Sequence, residues 1–156
     1  MDNIQSISHT KNLTLNNINK SFGDNHVVKD LSLKVEKGEF VVLLGPSGCG
    51  KTTALRMIAG LESVDSGEIE IGDSVVTHKL PKFRNISMVF QSYALYPHKT
   101  VSENIAFPLK VRKISGDARD KAILDAAKQV HMEDLLDRYP RQLSGGQRQR
   151  VAIGRA

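Results

Sequence analysis

The chain has little cysteine and few aromatic side chains: its 156 residues include one cysteine, no tryptophan and only 5% aromatics. A single cysteine, Cys49, excludes an internal disulfide framework and a thiolate metal cluster, so a reducing compartment is predicted. Long apolar runs are also lacking: no stretch approaches the roughly 20 apolar residues of a membrane span, and segment 1–12 has no signal-peptide core. We therefore expect a cytosolic protein with a polar N-terminal extension over 1–12.

The basic side chains outnumber the acidic ones, giving a net charge of +5 and a pI near 9.4. They are scattered, however, and no aromatic side chains alternate with them as in a nucleic-acid groove. We therefore expect no nucleic-acid partner. The small basic groups at 110–113 and 148–155 are interpreted as solvated surface or anion-facing groups.

The first half of the chain has strand patterns, and its length suits one globular domain or part of one. Alternating apolar residues over 13–18 and 31–35 predict a hairpin, and 68–71 with 75–76 predict a second one. Two continuous apolar runs, 40–44 and 86–90, are typical of strands covered on both faces.

The second half has helical patterns. Thr100 and Glu103 match a capping box, and Pro108 is expected to end or kink the helix that follows. Apolar residues at helical spacing over 123–130 predict another helix, and 132–139 a short third one.

A glycine-rich loop over 45–52 matches the pattern G-x-x-x-x-G-K-[ST], between a predicted strand and a helix over 52–59 that stops at Gly60. Its backbone amides and the helix N-terminus would cradle phosphates, Lys51 would reach the β- and γ-phosphates, and the Thr52 hydroxyl would ligate Mg²⁺. Cys49 is interpreted as a passive loop residue. The predicted phosphate-site residues are Gly45, Pro46, Ser47, Gly48, Cys49, Gly50, Lys51, Thr52 and Thr53.

A second glycine motif, Leu-Ser-Gly-Gly-Gln over 143–147, precedes Arg148-Gln149-Arg150. Its serine can cap the following helix while the two glycines leave amides open, which makes a second anion site. With the upstream loop, this motif resembles the signature of ATP-binding cassette (ABC) transporter ATPases. The resemblance implies a head-to-tail dimer with a second ABC ATPase subunit, whose ATP is contacted in trans by Ser144, Gly145, Gly146 and Gln147.

Two further positions follow from the resemblance. Gln91, in Met88-Val89-Phe90-Gln91, is similar to the glutamine that contacts Mg²⁺ and the attacking water and senses the transmembrane partner. Phe22 lies where the family places an aromatic that stacks on adenine, although a core role remains the alternative.

Segment 90–98 resembles the carbohydrate-uptake branch, which includes maltose and glycerol-3-phosphate importers. That resemblance implies transmembrane permease partners and a location on the inner face of the cell membrane. Polyamine and inorganic-ion importers remain open as alternatives. The candidate docking residues are Tyr93, Tyr96, Pro97 and His98, with ordinary packing equally open for either tyrosine.

The resemblance implies an α/β fold, a P-loop NTPase core with an N-terminal antiparallel β-subdomain and a helical subdomain. We expect a partial nucleotide-binding domain over 13–156: β-subdomain and P-loop core 13–90, Q-loop and helical subdomain 91–142, signature 143–156. The implied parallel sheet is expected to be incomplete, with exposed edges at 40–44 and marginal stability.

The family places an Mg²⁺-binding aspartate, a catalytic glutamate and a switch histidine after the signature. Segment 148–156 contains no Asp, Glu or His. Asp125 and Asp137 lie in helical patterns and do not replace them. The leading hypothesis is therefore the ATP-binding part of an importer subunit that does not turn over ATP by itself. The alternative is a non-catalytic truncated nucleotide-binding or interaction module; a soluble ABC ATPase without a transporter is disfavoured.

Overall fold

The computed structural model describes residues 13–156, so the predicted polar extension over 1–12 lies outside the described residues. The chain divides into two compact units, the first ending at Ile86 and the second beginning at Ser87. Each has its own apolar core.

The first unit is built on a four-stranded antiparallel sheet in the order β2-β1-β3-β4. The strands are β1 Leu13–Phe22, β2 Asn25–Val35, β3 Ser66–Ile71 and β4 Ser74–Val75. Both predicted hairpins are confirmed, because β1 pairs with β2 and β3 pairs with β4. The alternating apolar residues lie on the face that packs against a helix.

That helix is α1, Lys51–Ala59, and its buried Met57 packs with Leu15, Ile18 and Ile69 of the sheet. As predicted, α1 ends at Gly60, whose φ of 74° closes the last turn.

A buried arginine, Arg84, stabilises the last turn of α1. Its guanidinium donates to the carbonyl oxygens of Met57 and Ile58, at 2.8 and 3.0 Å, and to those of Thr77 and Lys79. Burial lowers the pKa of Arg84. The carbonyl oxygens supply the polar contacts that this buried cation needs.

The strand predictions for 40–44 and 86–90 are wrong. Neither run is a strand, and Phe40 and Leu44 are 90% and 88% exposed. A strand needs a neighbour for its backbone N–H and C=O groups, and no strand among residues 13–156 pairs with either run. The apolar composition of a run favours its burial, but the run forms a strand only if another strand pairs with it. The described sheet is consequently antiparallel throughout.

The second unit is helical, with α2 Val101–Val111, α3 Gly116–Gln129 and α4 Gly145–Arg155. The helices enclose one core, whose buried residues are Val101, Ile105, Ala106, Ile123, Ala127, Met132, Leu143 and Val151. The capping box of α2 is confirmed: Thr100 Oγ1 accepts from Glu103 N at 3.2 Å, and Glu103 Oε2 accepts from Thr100 N at 2.8 Å.

Two helix predictions need correction. Of the two outcomes predicted at Pro108, the end of the helix is wrong, because α2 continues to Val111, and the kink stays a prediction. Burial of the α2 face in the core outweighs the one backbone hydrogen bond that a proline removes. The helix predicted over 132–139 is a single 3₁₀ turn, Glu133–Leu135. Pro140 favours an extended conformation at Tyr139, whose ψ is 156°, so a regular helix cannot continue into it.

Candidate functional site

The glycine-rich loop leads directly into α1, and its lysine folds back over it. Lys51 Nζ donates to the carbonyl oxygens of Gly45 and Pro46, both at 2.7 Å, and lies 3.4 Å from Cys49 Sγ. These contacts place the ammonium within the loop. The loop and the lysine therefore form one positively charged concavity.

The N-terminus of α1 is open. Its N-cap is Gly50, and no side chain caps the first turn. The first backbone hydrogen bond runs from Ala54 N to Gly50 O at 2.8 Å, which leaves the amides of the preceding residues for an outside acceptor. An anion is the natural partner of such amides.

Glycine is required at position 50 for two reasons. Its φ of 91° lies in the left-handed region, and a Cβ there would lie 2.8 Å from the carbonyl oxygen of Val27. The close approach of the loop to β2 thus depends on the missing side chain.

The donor set fits a nucleoside triphosphate and its magnesium ion. Open amides and the Lys51 ammonium suit phosphate oxygens, and the exposed Thr52 hydroxyl in the first turn is a hard oxygen ligand of the kind Mg²⁺ prefers. Within residues 13–156, no three His, Cys, Asp or Glu side chains cluster as a protein-only metal site. A metal held partly by phosphates is consistent with this.

Beside the loop lies a cavity of about 300 Å³. Its walls combine Cys49 and Lys51 with apolar side chains of β2 and of the run before the loop, among them Leu31, Val42 and Leu44. A larger cavity of about 370 Å³ lies next to Gly60 and Arg84 at the other end of α1. The Arg84 guanidinium is already bonded to four carbonyl oxygens, so the open donors lie at the loop end of α1.

Phe22, the predicted base-stacking residue, lies at the end of β1 and is 49% exposed. The alternative core role is not met, because the buried side chains of the first unit do not include it. One face of its ring is covered by the Lys20 ammonium, 5.2 Å from the ring centroid.

Gln91 lies exposed in the second unit, at the start of a turn. The loop after it has an unusual backbone: Tyr93 and Ala94 have φ values of 64° and 48°, in the left-handed region. Arg155 bonds this loop, donating from Nη1 to Ala94 O at 2.6 Å and from Nη2 to Tyr93 O at 3.2 Å. Two consecutive non-glycine residues in this region indicate backbone strain that the surrounding contacts must offset.

The interpretation of the 148–155 arginines as solvated or anion-facing is corrected by these contacts. Arg148 Nη1 donates to Leu143 O at 2.6 Å, and Arg150 Nη1 reaches Val130 O at 3.4 Å. Together with Arg155, these side chains bond backbone carbonyls of the same unit. Arg155 is the residue that sequence reasoning missed here, because only the fold brings α4 next to the 93–94 loop.

The docking candidates also have packing roles. The Tyr96 ring lies 4.7 Å from Phe107 and 6.2 Å from His98, centroid to centroid. The fully buried Asn104 side chain bonds both backbone groups of Tyr96. Its Oδ1 accepts from Tyr96 N at 2.9 Å, and its Nδ2 donates to Tyr96 O at 3.3 Å. Pro97 and His98 are exposed beside it.

The signature motif begins α4 with a capping box. Ser144 Oγ accepts from Gln147 N at 3.2 Å, and Gln147 Oε1 accepts from Ser144 N at 2.8 Å. The amides of Gly145 and Gly146 stay open at the helix N-terminus. The Tyr93 hydroxyl lies 3.8 Å from where a Cβ of Gly145 would be, so the second unit brings this loop to the signature.

The predicted site residues thus divide between the units. The glycine-rich loop, Lys51, Thr52, Thr53 and Phe22 lie in the first unit, and Gln91 and the signature lie in the second.

Comparison with known proteins assigns the family. The ABC transporter family matches residues 28–156, so the chain belongs to this family. A solved ATP-binding cassette, described as a dimer in a post-hydrolysis state bound to ADP and Pi, is 36% identical with a TM-score of 0.80. That match covers 92% of this chain and 68% of the other, and it confirms the ABC ATPase fold.

The relatives confirm the predicted branch. A sulfoquinovosyl glycerol transport ATP-binding protein of Agrobacterium fabrum is 58% identical over 144 residues, 92% of this chain and 40% of the relative. An sn-glycerol-3-phosphate import ATP-binding protein of Brucella abortus is 59% identical over 145 residues, 92% of this chain and 41% of the relative. The chain therefore spans about two fifths of the length of these relatives. No helix among the described residues is long and apolar enough to cross a membrane.

Proposed function

We propose that the chain is the nucleotide-binding part of an ABC importer subunit that couples ATP binding and hydrolysis to uptake of a sugar-type solute. The observation that carries the proposal is the uncapped N-terminus of α1, with Lys51 folded into its loop. The names of the relatives support the importer class and the solute class.

In this proposal, the amides of the loop and Lys51 bind the β- and γ-phosphates, and Phe22 stacks on adenine. Thr52 would hold Mg²⁺, which supplies positive charge to the phosphate oxygens when bound. For Gln91, in the second unit, we carry over from the family resemblance a role toward Mg²⁺ and the attacking water.

A second ABC ATPase subunit is the proposed partner at the ATP site. The Ser144 hydroxyl oxygen accepts a hydrogen bond from Gln147 N, so its hydrogen remains available for donation to a phosphate oxygen. With the open amides of Gly145 and Gly146, it would contact ATP held by the other subunit in a head-to-tail dimer. The exposed Pro97 and His98 mark the surface proposed to meet a membrane permease at the inner face of the membrane.

The alternative function is a non-catalytic nucleotide-binding or interaction module. Both candidates bind ATP, and they differ in turnover. ATP hydrolysis at a rate above that of a Lys51→Met control would exclude the alternative.

The binding proposal is tested by calorimetric titration of the chain with Mg²⁺-ATP. Lys51→Met should weaken ATP binding by more than about tenfold, since a charge-assisted contact to phosphate contributes over 1.4 kcal/mol. Lys37→Met, at an exposed turn after β2, is the matched control and should leave the affinity unchanged. Equal affinities for the two variants would refute the phosphate site.

A further inference from the structure

A group of charged side chains lies directly under Phe22. The Lys20 side chain is almost fully buried, with 7% exposure. Its Nζ lies 2.8 Å from Ser63 Oγ, 3.1 Å from Asp65 Oδ1 and 3.2 Å from Glu62 Oε1. An ammonium has three N–H donors, so all three have an acceptor and its position is determined.

The same ammonium covers one face of the Phe22 ring, at 5.2 Å from the centroid. Contact between a cation and the face of an aromatic ring is favourable. Phe22 nevertheless remains 49% exposed. Because Lys20 occupies one face, an incoming aromatic group must stack on the opposite face.

Asp65 fixes the backbone next to the ring as well. While Oδ1 accepts from Lys20, Oδ2 accepts from the backbone N–H of Ser21 at 2.7 Å. Asp65 N in turn donates to Asn19 O at 3.0 Å, so the segment after α1 is bonded to β1 at two points. One carboxylate therefore restrains both the main chain before Phe22 and the cation beneath its ring.

The ionisation of the pair agrees with this geometry. Burial lowers the pKa of Lys20, whereas its hydrogen bonds to Asp65 and Glu62 raise it. The hydrogen bonds and the two negative charges together outweigh burial, so the pKa of Lys20 is above its ordinary value. The Ser21 backbone N–H, followed by Lys20, lowers the pKa of Asp65. Both groups are charged at neutral pH, which strengthens their hydrogen bonds.

We propose that Lys20 and Asp65 are positioning residues that fix the Phe22 ring so that its free face stacks on the purine base of a bound nucleotide. This inference rests on the proposed ATP-binding function and assigns its base contact to a specific support. Neither residue touches the nucleotide. Their effect should therefore appear only with ligands that have a base.

The test compares the affinity of the full chain for ATP with that for inorganic tripolyphosphate, which has the phosphates and no base. Asp65→Asn and Lys20→Met should each weaken ATP binding about fivefold, part of the tenfold or greater loss expected for Phe22→Ala from base stacking. Tripolyphosphate affinity should change less than about twofold, since the phosphate loop is untouched. Asp73→Asn, an exposed carboxylate in the turn between β3 and β4, is the matched control.

A double variant gives the sharper readout. On the Phe22→Ala background, Asp65→Asn should cause no further loss of ATP affinity, because it acts only through the ring. An equal loss for ATP and tripolyphosphate, additivity with Phe22→Ala, or no loss in either single variant would overturn the inference. If the unsubstituted chain binds neither ligand, the proposed function itself fails. Thermal melts guard against a folding defect in Lys20→Met, and Asp65→Asn, at a partly exposed site, tests the inference independently.

Discussion

Two helix N-termini in this chain have backbone amides that need acceptors, and they differ in how those amides are satisfied. α1 begins at Gly50 without a side-chain cap, whereas α4 begins at Ser144 with a full capping box. The first leaves its amides to an outside anion and places Lys51 beside them. The second satisfies one of its amides internally and has no lysine in its loop, so it offers a weaker and more neutral anion site.

The comparison indicates different roles for the N-termini of α1 and α4 toward phosphate. The α1 end has the donors that suit a triphosphate, because it combines open amides with the Lys51 charge. The α4 end has open amides and no lysine, which suits it to adding contacts to a phosphate that is already bound. This difference agrees with the proposed arrangement, in which the signature acts on ATP bound by a second subunit.

The largest expected effect separates the two sites through their glycines. Gly50→Ala should abolish measurable ATP binding and destabilise the first unit by about 1–3 kcal/mol, because the residue is left-handed and its Cβ would meet Val27 O at 2.8 Å. The Cβ added by Gly146→Ala meets nothing within 4 Å and lies inside α4, so this substitution should stabilise the helix by about 0.5–1 kcal/mol. Calorimetry and urea unfolding measure both, and similar effects of the two substitutions would contradict the comparison.

The next effect concerns the cap of α4. Ser144→Ala should lower the free energy of unfolding by about 1 kcal/mol, the typical value of a serine N-cap. Ser115→Ala provides the control, because Ser115 precedes α3 without a side-chain cap bond. Its effect should be a few tenths of a kcal/mol at most. Urea denaturation of both variants checks this, and equal losses of stability in the two variants would contradict the assignment of Ser144 as the cap of α4.

The smallest expected effect separates the two capping boxes. That of α2 uses Glu103, and that of α4 uses the neutral Gln147 in the same position. The Thr100 backbone N–H lowers the pKa of Glu103. The ionised Glu103 carboxylate therefore stabilises the folded chain at a pH above the pKa of glutamate in the unfolded chain, near 4.3. This stabilisation is lost as the pH falls through the lower pKa of Glu103 in the folded chain.

Glu103→Gln should therefore reduce the drop in melting temperature between pH 6 and pH 3 by a small amount, of about a degree. Glu133→Gln, in the first turn of a 3₁₀ segment without a side-chain cap bond, serves as the control. An unchanged pH dependence in Glu103→Gln would show that the carboxylate makes no net contribution.

Local signals predicted much of the fold and the candidate site. Alternating apolar residues and turn residues predicted the hairpins. The glycine-rich loop and Gly60 predicted where α1 begins and ends, and Thr100 and Ser144 predicted the caps of α2 and α4. These features depend on residues that are near one another in the chain. The roles of Gln91 and Phe22 toward a nucleotide stay predictions.

The failures have a common cause. The runs 40–44 and 86–90 have strand composition, but a strand forms only where another strand is available to pair with it. Pro108 has the chemistry of a helix breaker, but the packing of α2 outweighs it. Local propensity is a weak prior wherever the decisive contacts come from distant residues.

The amino-acid sequence alone determined the phosphate loop, the signature cap and the family resemblance, because each is a short pattern whose chemistry acts on adjacent backbone groups. Only the tertiary structure decided that Asp65 restrains the backbone before Phe22, that Lys20 covers its ring, and that Arg155 bonds the loop after Gln91. These contacts join residues up to 62 positions apart in the chain. Hydrogen bonds and ring contacts act over a few ångströms, so only the folded chain can select them.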